Sequence, residues 1–211
     1  MDIDAKDLLD SAQAAQATKA SQAAQGQREA RSARLNAAVA VTVAVLATFM
    51  GICKVKDDNI VQGMQQAQAD KLDHWNFYQA RNLRQELAEA TATQLDLARA
   101  GAPAAAQAGY DAALTKYRAL AAEQALKKDA LKAQAEQDQK NYDALNFRDD
   151  QFDLSDALIA VAIAMLAVTA LTGIWALFWV ALVPTGFGVL MGVAGLTGLP
   201  IHPDALIRLL S

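Results

Sequence analysis

The stretch "RDDQFDLSDALIAVAIAMLAVTALTG", Arg148–Gly173, passes from dense charge to none within a few residues. Asp149, Asp150, Asp153 and Asp156 crowd its first part. From Ala157 to Ile201 there follow 45 residues without a charge. A helix needs about 20 apolar residues to cross roughly 30 Å of hydrocarbon, so this run is long enough to cross twice. The break belongs near Thr172-Gly173, which gives spans at 154–172 and 175–197. A break at Pro184-Thr185-Gly186 would leave a final piece too short to cross. The same test finds one earlier span, 35–53, with no charge between Arg34 and Lys54. That run starts too late for a cleaved signal peptide and lacks a small-x-small cleavage site.

A chain that leaves the membrane after residue 53 must return to it by residue 154. Between Lys54 and Arg99 the only helix breaker is Gly63, tolerable at about 1 kcal/mol. The stretch "AGAPAAAQAG" then holds Gly101, Pro103 and Gly109 and reads as a turn near 101–109. Tyr110 to Asp156 again has no Gly or Pro. Two arms of near-equal length, each roughly 65–70 Å as helix, predict an antiparallel α-hairpin over 54–156. Its second arm carries Tyr110, Leu114, Tyr117, Ala121, Leu131, Ala135, Tyr142, Leu145 and Phe152 at alternating 4–3 spacing. Gln124, Lys128, Asp138 and Asp149 interrupt that seam, which is therefore coiled-coil-like but imperfect. The fold class expected is an all-α membrane protein, three transmembrane helices with this hairpin between the first and second. Residues 1–34 are Ala/Gln-rich with five acidic and five basic residues, and alone predict a weak or disordered helix. Residues 198–211 form a short C-terminal tail.

Large side chains are concentrated in "HWNFYQAR", His74–Arg81, although the chain is only 6% aromatic. At 100° per residue, Trp75 and Tyr78 share one side of a helix, and Phe77 lies almost opposite Trp75. Trp75 and Tyr78 are expected to be buried on the second arm near Leu131 and Ala135. Phe77 then needs another surface, and with Arg81 and Arg84 the segment has the Tyr/Arg mixture of an interface between chains. In the third span Gly188, Gly192 and Gly195 offer close helix packing. Trp175 and Trp179, at its start, suit anchors in the membrane–water interface.

The chemistry of sites is sparse. His74 and His202 are the only histidines, and Asp73-His74 lacks helical metal spacing, so no metal or other cofactor is expected. No phosphate loop, nucleophile elbow or dinucleotide fingerprint occurs, and the chain is not expected to be an enzyme. The spans contain no ionisable side chain for a proton or ion relay, which argues against a pump or secondary transporter. Their threonines, 42, 48, 169, 172, 185 and 197, can bond their own helices. Residues 54–156 hold 13 basic and 17 acidic residues with no basic stripe, and predict no nucleic-acid partner. Cys53 stands alone, which excludes an intrachain disulfide.

Lys19, Arg28, Arg31 and Arg34 precede the first span, which puts the N-terminus in the cytoplasm and the hairpin outside. The combination of "DHWNFYQARNLRQ", "RDDQFDLSDALIAVAIAMLAVTALTG" and "LFWVAL" resembles a bacterial family of uncharacterised membrane proteins, the domain of unknown function 4337 family. Its aromatic core is matched at Trp75, Tyr78, Gln79, Ala80 and Arg81, and the resemblance covers roughly residues 35–197. Members carry basic residues between the last two spans, where this chain has Gly173-Ile174-Trp175, and the N-terminal segment matches nothing specific. The resemblance implies a bacterial inner-membrane protein, the hairpin then being periplasmic, and assigns no activity. The expected function is a non-enzymatic scaffold or accessory subunit that contacts membrane lipid and self-associates or joins a larger membrane complex. An oligomeric channel is the alternative. A sensor fits less well, for want of a cytoplasmic output domain.

Overall fold

The computed structural model describes residues 5–201, and these form three helices: α1, Ala5–Ala100; α2, Ala104–Thr172; and α3, Trp175–Thr197. No strand occurs among the described residues. Residues 1–4, and 202–211 of the C-terminal tail with His202, lie outside them.

The joints follow from backbone chemistry. Pro103 has no N–H to extend a helix and disfavours the α region for its predecessor, so α1 stops at Ala100. The turn is tighter than the sequence predicts, because α2 begins at Ala104 and takes in Gly109. One glycine among good helix formers is not enough to hold the chain out of a helix. At the second joint Gly173 sits at φ 68°, a conformation glycine adopts without a Cβ clash, and its N–H closes on Thr169 O at 2.9 Å. The N-terminal segment, expected alone to be a weak or disordered helix, does not stand alone. It is continuous with α1 although residues 18–34 are exposed. Extending an existing helix costs far less than nucleating one, and the apolar run beginning at Leu35 provides the nucleus.

The fold separates into two compact units. The first comprises the chain up to Lys56 together with Asp150 onward. All three helices in it contain a stretch long and apolar enough to cross a membrane, which makes this a membrane protein. Its core is Leu35, Val39 and Leu46 of α1, Ile159, Ala162 and Leu166 of α2, and Phe178 and Ala181 of α3. Large apolar side chains also face outward, including Val41, Val45, Leu171, Val183 and Phe187. That is wrong for water and right for lipid, which solvates them. The six threonines of these stretches donate to carbonyls four residues back in their own helix, at 2.7–2.9 Å, so no hydroxyl is stranded. Pro184 lies inside α3.

The second unit, Asp57–Asp149, pairs the remainder of α1 with the start of α2. On α1, Asp57, Ile60, Met64, Ala67, Lys71, His74, Tyr78, Arg81, Gln85, Ala88, Ala92, Leu95 and Arg99 are all buried or half-buried, at strict 4–3 spacing. On α2 the same holds for Tyr110, Leu114, Tyr117, Ala121, Gln124, Lys128, Leu131, Ala135, Asp138, Tyr142, Leu145 and Asp149. The α1 stripe mixes Ala67, Ala88 and Ala92 with six polar residues, and the α2 stripe sets leucines and tyrosines among four polar ones, so paired polar groups interrupt a narrow apolar seam.

Candidate functional site

The segment 74–84 lies on α1 in the second unit, and its side chains divide between two directions. Trp75 and Tyr78 pack edge to face, with ring centroids 5.3 Å apart. The Lys128 ammonium of α2 sits 5.9 Å from the Tyr78 ring centre and donates to Asn82 Oδ1 at 3.1 Å. Arg81 donates to Gln124 Oε1 at 2.9 Å. His74 Nδ1 lies 2.6 Å from Asp138 Oδ2, the ring nitrogen donating to the carboxylate, and Lys71 donates to Gln139 Oε1 at 2.7 Å. Three interruptions of the α2 seam, Gln124, Lys128 and Asp138, are therefore each met by a polar partner on α1.

This splits the expected interface set. Arg81 and Tyr78 are engaged with α2. Phe77 is 59% exposed, and Arg84 is exposed with no hydrogen bond or ion pair among the described residues. Trp75 and Tyr78, expected to be buried, are half-buried. Trp75 stands one position past the seam residue His74, and Tyr78 faces the long Lys128 side chain, so each ring keeps an edge in solvent.

Sequence reasoning missed a different set. Leu72, Leu83, Leu87 and Leu97 of α1 are 55–73% exposed. At 100° per residue they fall within about 80° of one another, on the side of α1 opposite its buried stripe. The signal was available as four leucines among Ala, Gln and charge. A groove of about 600 Å³ near the turn is lined by Glu89, Asp96, Arg99 and Arg118. Three of its charges are committed to ion pairs, Arg118 with Asp96 at 3.5 Å and Arg99 with Asp111 at 2.6 Å, and Glu89 accepts from Gln85 at 2.8 Å.

In the first unit, Gly188, Gly192 and Gly195 line one side of α3 and are buried. A Cβ at Gly192 would stand 2.7 Å from the Phe49 ring and 2.8 Å from Ser155 Oγ; at Gly188 it would meet Ile159 at 2.8 Å, and at Gly195 the Phe152 ring at 2.9 Å. Ser155 donates to Gly188 O at 2.8 Å, a contact that needs this close approach. Gln151, fully buried, donates to Leu199 O and Ile201 O at 2.8 and 2.7 Å. Trp175 packs on the core, and Trp179 is 63% exposed; both lie edge to face with Phe178. Cys53 is buried and forms no disulfide. Among the described residues no group of three or more His, Cys, Asp or Glu could hold a metal ion.

No curated protein and no solved structure matches the chain. The model of one family, described as "Domain of unknown function (DUF4337)", matches residues 35–198. That match takes in all three apolar stretches and the whole of 57–149, and the chain belongs to the DUF4337 family.

Proposed function

We propose that this protein is a non-enzymatic scaffold or accessory subunit of the bacterial inner membrane, built to associate through a long antiparallel, coiled-coil-like α-hairpin, residues 57–149. Antiparallel pairing is supported by the order of contacts. As the α1 partner rises from Gly63 through Lys71, Arg81 and Arg99, its α2 partner falls from Leu145 through Gln139, Gln124 and Asp111. The association reading is carried by one observation, the exposed leucines of α1 opposite its buried stripe. A helix with one partner and water on the other side shows polar residues there. Here one side meets α2, and the other presents Leu72, Leu83, Leu87 and Leu97, with Phe77 and Arg84 on further free surface. Such a helix suits a second partner, a copy of this chain or a larger membrane complex.

The test is the assembled mass of the full-length protein extracted in mild detergent, with mass spectrometry of whatever co-purifies. Leu83→Gln with Leu87→Gln should leave helicity intact and lower the assembled mass; unchanged mass defeats the association reading. Foreign subunits in fixed ratio identify an accessory role, and a single species a scaffold. An oligomeric channel has less support, because the threonine hydroxyls of the apolar stretches are bonded within their own helices.

The Lys/Arg excess before residue 35 supports a cytoplasmic N-terminus with the hairpin in the periplasm. After replacement of Cys53, cysteines at Ala20 and Ala104 are probed in spheroplasts with an impermeant thiol reagent. Labelling at 104 alone is expected, and labelling at 20 alone reverses the orientation.

A further inference from the structure

Three arginines stand immediately before the first apolar stretch. Arg28, Arg31 and Arg34 are all exposed, and none has an ion-pair partner among the described residues. Spaced by three, they advance around the helix by about 60° at each step and form one basic face. Within the first unit this face meets the link between α2 and α3. One depression, about 510 Å³, is lined by Gln27, Ala30, Arg31, Arg34 and Trp175. A second, about 470 Å³, is lined by Arg28, Arg31 and Ser32 together with Gly173, Ile174 and Trp175. Arg31 and Trp175 are shared by both.

We propose that this basic face is a binding site for the phosphate of an anionic membrane lipid. Three uncompensated guanidinium groups within seven residues supply charge and forked donors matched to phosphate oxygens. Their position selects a lipid over a soluble anion. The patch lies one residue before the charge-free run that begins at Leu35 and beside Trp175, the first residue of the apolar α3. A phosphate held there keeps its acyl chains level with Val41 and Val45, whose side chains face outward. Trp175 offers the ring that settles at headgroup depth, and basic pockets beside membrane helices bind such headgroups.

The experiment uses the full-length protein in neutral detergent, with native mass spectrometry counting retained lipid. The probes are phosphatidylglycerol, phosphatidylcholine and inorganic phosphate. Phosphatidylglycerol is expected to be retained at least fivefold over phosphatidylcholine, and Arg31→Gln with Arg34→Gln should cut that preference to below twofold at unchanged helicity. Arg31→Lys with Arg34→Lys keeps the charge and should keep part of the preference. Lys54→Gln with Lys56→Gln, at the other end of the first apolar stretch, should leave it intact. Equal retention of both lipids overturns the proposal, as does a loss with the lysine variant that matches the glutamine one. Binding of inorganic phosphate as tight as that of the lipid overturns it too, in favour of a soluble anion.

Discussion

The two units use the same element, a long helix, under opposite rules. The first unit packs Gly188, Gly192 and Gly195 of α3 closely onto Ile159, Ser155, Phe49 and Phe152, and turns Val45, Leu171 and Phe187 outward. Around His74 the second unit instead sets long charged and amide side chains in its seam. The difference is one of solvent. Lipid gives no hydrophobic reward for burying a leucine, so contact must come from close approach, which glycine and serine permit. Water rewards apolar burial and levels no great penalty on a polar pair at a half-exposed seam, so a narrow apolar strip with matched polar groups suffices.

Gly192→Leu attacks the lipid rule most directly. Its side chain would enter the Phe49 ring and Ser155, and the cost should be about 3 kcal/mol or more, the upper end for overpacking. The midpoint of SDS-induced unfolding measures it. Gly186→Ala, with nothing within 4 Å of its Cβ, is the silent control. An equal shift for both variants breaks the comparison.

Trp75→Ala comes next, in the water-side unit. The ring is half-covered, so about 2 kcal/mol is expected by thermal unfolding, roughly half the full-burial value. Asp138→Ala should cost about 1 kcal/mol by leaving His74 without its acceptor. The sharper test is the pair His74→Leu with Asp138→Leu. If the seam tolerates either chemistry, the double variant returns to within about 1 kcal/mol of the parent or exceeds it.

The smallest effect is at Glu123. The hydrogen bond from Lys127, and then its charge, hold this exposed carboxyl below its ordinary value of 4.5, with a lesser contribution from Arg81. A carboxylate so lowered stabilises the fold above its unfolded value, and that contribution fades as pH falls through the lowered one. Glu123→Gln should therefore lower stability slightly at pH 7, converge with the parent as pH falls, and so remove a small part of the acid-side loss of helicity, read by circular dichroism from pH 6 to 2.

Legibility in the sequence follows the same division. The apolar stretches could be read because a bilayer imposes a minimum length and forbids charge, and Ala157–Ile201 obeys both without interruption. The α2 seam could be read because Leu114, Tyr117 and Leu145 mark it. The α1 seam could not. Asp57, Lys71, His74, Arg81 and Gln85 occupy it, while Leu72, Leu83, Leu87 and Leu97 lie on the far side. Apolar residues on one face and polar partners on the other cancel the periodicity that marks an amphipathic helix. A polar seam becomes visible only once its partner strip, Gln124, Lys128 and Asp138, is set against it. The helical N-terminal segment was illegible for another reason: its own residues do not specify it, and its neighbour does.

The link Gly173-Ile174 has a consequence for biogenesis. Only two residues separate the helical ends Thr172 and Trp175, and neither carries a charge. A connection so short has almost no polar cargo to drag through hydrocarbon, and Gly173 turns the chain at once. The last two apolar segments can therefore enter the bilayer together as a preformed pair, once residues 57–149 have already been synthesised.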